Sequence, residues 1–180
     1  AEKFQKPGEA YLGLVHRLDR PAGGAMVFAR TSKAAARLTK AFAGHDLEKI
    51  YLAVVQGGAS SPARLRDFLV KGEDGMVRVA SADKPGAKEA RLSYCPLKTR
   101  EGLTLVEVSL ETGRPHQIRV QMANAGHPLW GDNRYGGGAP GQQLALWSHR
   151  LTIPHPTKPG RITFTSDPPR SGIWALFHDA

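Results

Sequence analysis

An α+β domain is the fold class this sequence predicts: a mainly antiparallel mixed sheet with short flanking helices and long loops. β-rich alternating segments outnumber helical ones along the chain. Twenty Gly and 13 Pro among 180 residues call for many turns between short strands, which a helical bundle does not need. A hydrophobic content of 41% supplies one core for a chain of one-domain length.

Each element has its basis in local pattern. Residues 25–29 are apolar and predict a strand leaving the loop at Asp19; Thr31 or Ser32 can cap the next segment, where Ala35, Leu38 and Phe42 fall at helical spacing. Residues 50–55, 103–110 and 162–165 are β-rich. Within the second of these, Leu103, Leu105, Glu107 and Ser109 alternate with Thr104, Val106, Val108 and Leu110, which suits a strand of a largely antiparallel sheet. Pro115 at a helix N1 position, Ile118 and Met122 four apart, and Gly126 beyond them outline a second helix. The glycine-rich run at 136–141 is a loop too short to divide domains, so residues 1–180 read as a single domain.

Charge narrows the function classes. Twenty-five Lys and Arg against 16 Asp and Glu leave a net charge of +9, a balance that favours polyanionic partners, although a merely basic protein shares it. The lone Cys95 excludes an internal disulfide, and a reducing cytoplasm is the simpler location. No apolar run approaches the roughly 18 residues that cross a bilayer as a helix. His16, His116 and His127 invite a metal reading, but no H-x-x-x-H pair occurs and no metal is expected. The glycines at 57–58 and 136–138 are not followed by Lys-Ser/Thr, so no nucleotide phosphate loop is present.

The chemistry concentrates in Leu14-Val15-His16-Arg17-Leu18-Asp19-Arg20, which sets one carboxylate between two arginines in an otherwise apolar stretch. A carboxylate held in place by arginine is what nucleophilic attack on an electrophilic carbon requires. An ordinary ion pair at a strand end produces the same tripeptide, and such pairs are energetically minor. Three later segments decide between them: Lys49-Ile50-Tyr51-Leu52-Ala53-Val54-Val55-Gln56-Gly57, Glu111-Thr112-Gly113-Arg114-Pro115-His116-Gln117-Ile118-Arg119-Val120, and Gly126-His127-Pro128-Leu129-Trp130-Gly131-Asp132-Asn133-Arg134-Tyr135-Gly136. Together and in this order, the four blocks resemble the RluA-type family of RNA pseudouridine synthases. The resemblance covers nearly the whole chain and is weakest over 65–98. Two departures stand out: residues 20–24 lack the family's usual hydroxyl residue, and Pro115 stands where Thr is commoner. The chain opens at Ala1 without the strand pair usual in the family before the first block, so a catalytic domain truncated at its N-terminus is expected.

The resemblance implies a pseudouridine synthase catalytic fold and a reaction that detaches uracil from C1′, turns the ring and rejoins it through C5, with no cofactor. It implies Asp19 as the nucleophile, attacking C1′ or C6 or drawing the C2′ proton. Arg119 is implied as the partner that orients Asp19. Tyr51, one residue past Ile50 and so on the opposite strand face, is implied to stack on the target base. Arg17 is the candidate wedge for base extrusion, because a planar guanidinium can stack on bases or grip a phosphate. Arg20, Lys49, Arg114, His116 and Gln117 are the further expected RNA contacts, Arg114 lying where a helix N-terminus favours phosphate. The implied partner is ribosomal or transfer RNA, met by a monomer. Two other classes stay open: a catalytically silent RNA-binding or RNA-folding module on the same fold, and a carboxylate glycosidase. The latter needs two placed acids, and Glu107, Glu111 and Asp132 lie in no pattern that pairs them with Asp19.

Overall fold

The computed structural model describes residues 11–44 and 46–178; the expected loss of N-terminal strands concerns the chain start, outside the described residues. In chain order the elements are β1 (Gly13–Leu14), β2 (Gly23–Gly24), β3 (Phe28–Ala29), α1 (Ser32–Ala43), β4 (Glu48–Gln56), β5 (Ala63–Lys71) and β6 (Val77–Ala80). The chain continues through β7 (Lys88–Arg100), β8 (Leu103–Leu110), α2 (Gln117–Asn124), β9 (Leu146–Pro154), β10 (Arg161–Thr165) and a closing 3-10 helix, Gly172–Phe177. Seven strands run β10-β9-β4-β8-β7-β5-β6, every neighbouring pair antiparallel. β2 joins as the eighth, pairing in parallel with Trp147 and Ser148 of β9, and this makes the sheet mixed. β1 and β3 form a separate two-stranded pair.

The centre of the sheet is covered on both sides, which explains why β4 reads as a nearly continuous apolar run. Ala53 and Val55 share a face with Val106, Val108, Leu92 and Tyr94, and Ile118 and Met122 of α2 pack onto it. Val54 looks the other way, where Trp174 and Phe177 of the 3-10 helix cover Leu52, Leu103 and Leu105. α1 packs Ala34 and Leu38 on Leu151 and Ile153 of β9. Its start is as expected: the Thr31 hydroxyl accepts from the Ala34 amide at 3.1 Å.

Two local expectations change. Residues 25–29 form only the two-residue β3, because the backbone groups that a longer strand would use are engaged elsewhere. The Ala25 amide donates to the Ser148 carbonyl and the Val27 amide to Nε2 of His16. α2 begins at Gln117, two residues after Pro115, since His116 takes a left-handed conformation with φ of 52°. The stretch that matched the family least, 65–98, supplies β5, β6 and most of β7. There the buried Ala90, Leu92 and Tyr94 alternate with more exposed neighbours.

One irregularity sets up the site. β4 and β9 pair regularly from Glu48 to Ile50, then slip, so that Tyr51 faces Ser148 while Ile50 faces Arg150. The extra residue, His149, makes a bulge of the kind that re-aims side chains beside functional sites. On its far edge the same stretch of β9 holds β2. A Cβ on Gly23 would lie 2.2 Å from the Trp147 ring, and Gly24 has φ of 116°, so only glycines let the segment after Asp19 lie flat on β9. Gly23→Ala is therefore expected to destabilise the protein by about 1–3 kcal/mol through overpacking. Urea denaturation followed by tryptophan fluorescence checks this; a midpoint unchanged from the parent would mean that the segment is not clamped.

Candidate active site

Four parts of the chain converge between α1 and α2 on one face of the sheet, around a cavity of about 400 Å³. The loop after β1 brings Arg17 and Asp19; β4 brings Lys49 and Tyr51, two residues apart and so on one face; the turn into α2 brings Arg114 and His116. Phe42 and Ala43 at the end of α1 close one side. The lining is rich in nitrogen donors, as suits an anionic or strongly polar ligand.

Arg119 organises the cavity from beneath. It is 3% exposed, and its Nε and Nη2 donate to the two carboxylate oxygens of Asp132 at 2.8 and 2.7 Å. The remaining terminal nitrogen, Nη1, lies 3.7 Å from Oδ2 of Asp19. The expected link between Asp19 and Arg119 is thus present, but as the outer arm of a guanidinium whose strong two-point bond is to Asp132. Among the described residues no ion pair joins Asp19 to either flanking arginine. The tripeptide that marked the site in the sequence does not supply its pairing.

Asp132 is 1% exposed and fully engaged. Besides Arg119, its Oδ1 accepts from the amides of Arg134 and Tyr135 at 3.0 and 3.2 Å. Burial pushes its carboxyl up, and these bonds outweigh burial, so the group is held below the ordinary carboxylate range. Burial likewise works against the Arg119 charge, while the bonds to Asp132 and the nearby Asp19 raise its pKa. Gly131, with φ of 75°, makes the turn before Asp132 possible; a Cβ there would sit 2.3 Å from the Gln143 carbonyl oxygen. In the sequence Asp132 lies in no pattern that pairs it with another charged residue. Its sole sequence signal was its place in the fourth block.

Tyr135, also from that block, completes the support. Its ring lies 5.1 Å from the Arg119 guanidinium carbon, a cation–π contact. Its hydroxyl accepts from the Val77 amide at 3.0 Å and lies 2.7 Å from Nδ1 of His116. His116, strained at positive φ, is thereby held at the cavity wall. Burial lowers its pKa, Asp19 opposes this and Arg119 reinforces the lowering, so the site favours the neutral imidazole.

Tyr51 is half-buried on the cavity. Burial pushes its phenol up to about 12, against a lowering hydrogen bond with Ser148 and with a further push from Asp19. Lys49 is lowered by burial and then by Arg114. His16, lowered by burial and by Lys49, stacks on Phe42 with ring centroids 4.4 Å apart.

Two expected RNA contacts are placed differently. Gln117 borders the cavity but is 3% exposed, and its amide works inward: Oε1 accepts from the Arg114 amide and the Thr112 hydroxyl, and Nε2 donates to the Arg91 carbonyl. It shapes the turn that carries Arg114, and so is a positioning residue. Arg20 does not line this cavity; it borders a second one, on the other side of the loop. The remaining expected residues, Arg17, Lys49, Arg114 and His116, come together around Asp19 and Tyr51. Arg114 also donates from Nε to the Glu89 carbonyl.

Comparison with known proteins places the sequence and the fold. The family model described as RNA pseudouridylate synthase matches residues 1–124. The chain is 31% identical to ribosomal large subunit pseudouridine synthase D of Zymomonas mobilis subsp. mobilis, over 91% of this chain and 55% of that protein. It is 34% identical to tRNA pseudouridine synthase C of Vibrio cholerae, over 79% of this chain and 66% of that protein. It thus spans about half to two thirds of the length of these relatives. In fold it resembles human RNA pseudouridylate synthase domain containing 1, with a TM-score of 0.76 and 22% identity, covering 91% of this chain and 71% of that one. By its sequence, the chain belongs to the RNA pseudouridylate synthase family.

Proposed function

We propose that the protein isomerises uridine to pseudouridine in ribosomal or transfer RNA, with Asp19 as the nucleophile and the target base flipped into the cavity at Asp19. The observation that carries this reading is the carboxylate of Asp19 held at the floor of a donor-rich cavity by an arginine that is itself fixed. Names of relatives support the RNA classes: one modifies the large ribosomal subunit and another transfer RNA.

In the proposed reaction the bond between N1 and C1′ breaks, the uracil turns within the cavity, and C5 bonds to C1′. The C5 proton is then lost and N1 gains one, so atoms and charge balance without a cofactor. Asp19 acts by attacking C1′ or C6 or by drawing the C2′ proton; on the C1′ route the ester it forms as the N1–C1′ bond breaks is itself released when C5 bonds to C1′. The fixed Nη1 of Arg119 steadies the carboxylate in direction, and an anion so oriented needs little reorganisation in the transition state. Tyr51 offers its ring as a stacking partner in place of the neighbours lost on flipping. Its pKa, raised chiefly by burial, argues against a phenolate base at neutral pH. Arg17, exposed at the cavity edge, suits the wedge role. Lys49, Arg114 and His116 suit contacts to the nucleotide or its phosphates.

The alternative of a silent RNA-binding module on this fold predicts the same binding and no turnover. The glycosidase alternative is weakened at each candidate second acid: Asp132 is bonded on both oxygens and closed to solvent, Glu111 pairs with Arg91, and neither Glu111 nor Glu107 lines the cavity at Asp19.

Asp19→Asn is expected to abolish conversion while RNA affinity stays within a few-fold, since shape is kept and a nucleophilic charge is lost. Tritium release from C5-labelled uridine RNA, measured beside binding, checks this; appreciable turnover by the Asn variant would remove Asp19 from the role. If Lys and Arg contacts to phosphate hold the RNA, log affinity should fall linearly with log salt, and Arg114→Ala should shallow that slope by roughly 0.7 for a single-stranded segment. Tyr51→Phe keeps the stacking ring and loses only the neutral hydroxyl that bonds Ser148, so it should leave the slope unchanged and lower turnover by the same factor at every pH from about 6 to 9. A Tyr51→Phe defect that grows with pH would instead mark the phenolate as the working form.

A further inference from the structure

On the far side of the Asp19 loop from the proposed active site lies a cavity of about 540 Å³, walled by Trp130, Trp147 and Trp174, which are all the tryptophans of the chain. Arg20 and Gly23 of the loop form its near wall, and Ser171 and Ile173 of the 3-10 helix segment its far wall. We propose that this cavity binds a second unstacked base, that of the nucleotide next to the target uridine.

Four observations carry the inference, which rests on the RNA reading of the Asp19 site. The two cavities share Ala22 and meet at adjacent residues, Asp19 facing one and Arg20 the other, so the loop is a partition that one RNA strand can straddle. Arg20 is exposed at the rim, where it can neutralise the phosphate joining the two nucleotides. Indole rings are the side chains best able to replace lost base stacking, and their concentration here is distinct from the polar lining around Asp19. The volume lies within the range of about 300–1,000 Å³ typical of small-ligand sites.

Occupancy would also report to the active site. Trp147 is in contact with Gly23, and its neighbour Ser148 accepts the Ala25 amide at 2.8 Å through its carbonyl and donates to the Ala25 carbonyl through its hydroxyl. The indole nitrogen of Trp147 is anchored on the Ser166 carbonyl at 2.9 Å. A base packed on this ring therefore bears on the strand pairing that holds the Asp19 loop in place. Selection of the neighbouring nucleotide would thus be coupled to placement of the nucleophile.

The test uses the full-length protein and a stem-loop RNA with one loop uridine, made with an abasic ribose placed in turn just before and just after that uridine. One of the two abasic RNAs is expected to bind about ten-fold or more weakly than the parent RNA, in line with the loss of a stacked base. Parent RNA should also quench tryptophan fluorescence. Ser171→Leu, at an exposed position whose side chain makes no cap bond, is designed to fill the cavity without adding an indole, and should reduce the affinity difference to less than two-fold and weaken the quenching. If both abasic RNAs bind like the parent while uridine is converted, the second-base site is wrong and the isomerase reading stands. If no conversion occurs yet the base dependence and its loss in Ser171→Leu are seen, the site stands and the isomerase reading falls.

Discussion

The buried pair of Arg119 and Asp132 governs the geometry of the whole site. A two-point bond between guanidinium and carboxylate fixes direction as well as distance, and here both partners are closed to solvent. Removing one partner of such a pair typically costs about 3–5 kcal/mol, because the other is left charged and buried. The pair joins α2 to the loop that carries Asp132, and Tyr135 extends the same cluster to Val77 of β6 and to His116 at the cavity wall. The one terminal nitrogen of Arg119 left over is the atom that reaches Asp19. The aim of Asp19 is thus set by residues that do not themselves face the cavity.

The backbone supplies the complementary half of the arrangement. The bulge at His149 turns Tyr51 and Ser148 to face each other, and the flat Gly23–Gly24 segment lays the Asp19 loop on the opposite edge of β9. One short stretch of β9 therefore registers both the stacking tyrosine and the nucleophile of the proposed reaction. Had either edge slipped by a residue, the side chains concerned would face the other side of the sheet.

Much of this was legible in the sequence. The alternation over 103–110 and the cap at Thr31 or Ser32 identified β8 and α1, and the four ordered blocks identified the family and contain Asp19 and Tyr51, which line one cavity, and Arg119 beneath it. The features that escaped were three-dimensional. Asp132 is 13 residues from Arg119, and nothing local distinguishes an acid that will clamp a buried guanidinium from one in a solvated turn. Arg20 follows Asp19 directly, yet the loop puts the two on different cavities. Gln117, in the same block as Arg119, looked like a polar contact, but its amide is bonded to Thr112, Arg114 and Arg91. The strands between 63 and 100 were passed over because their charged outer faces dilute an apolar alternation that is plain once Ala90, Leu92 and Tyr94 are seen buried.

If the Arg119–Asp132 pair works as one device, Asp132 acts on the reaction only through Arg119. The decisive measurement is a double-mutant cycle of Arg119→Lys and Asp132→Asn, read as single-turnover isomerisation with RNA affinity and folding monitored alongside. Each single variant that remains folded and binds RNA is expected to be strongly slowed. The double variant is expected to be no slower than the worse of the two, because both substitutions break the same device. Losses that multiply in the double variant, or an Asp132→Asn protein as fast as the parent, would contradict this dependence.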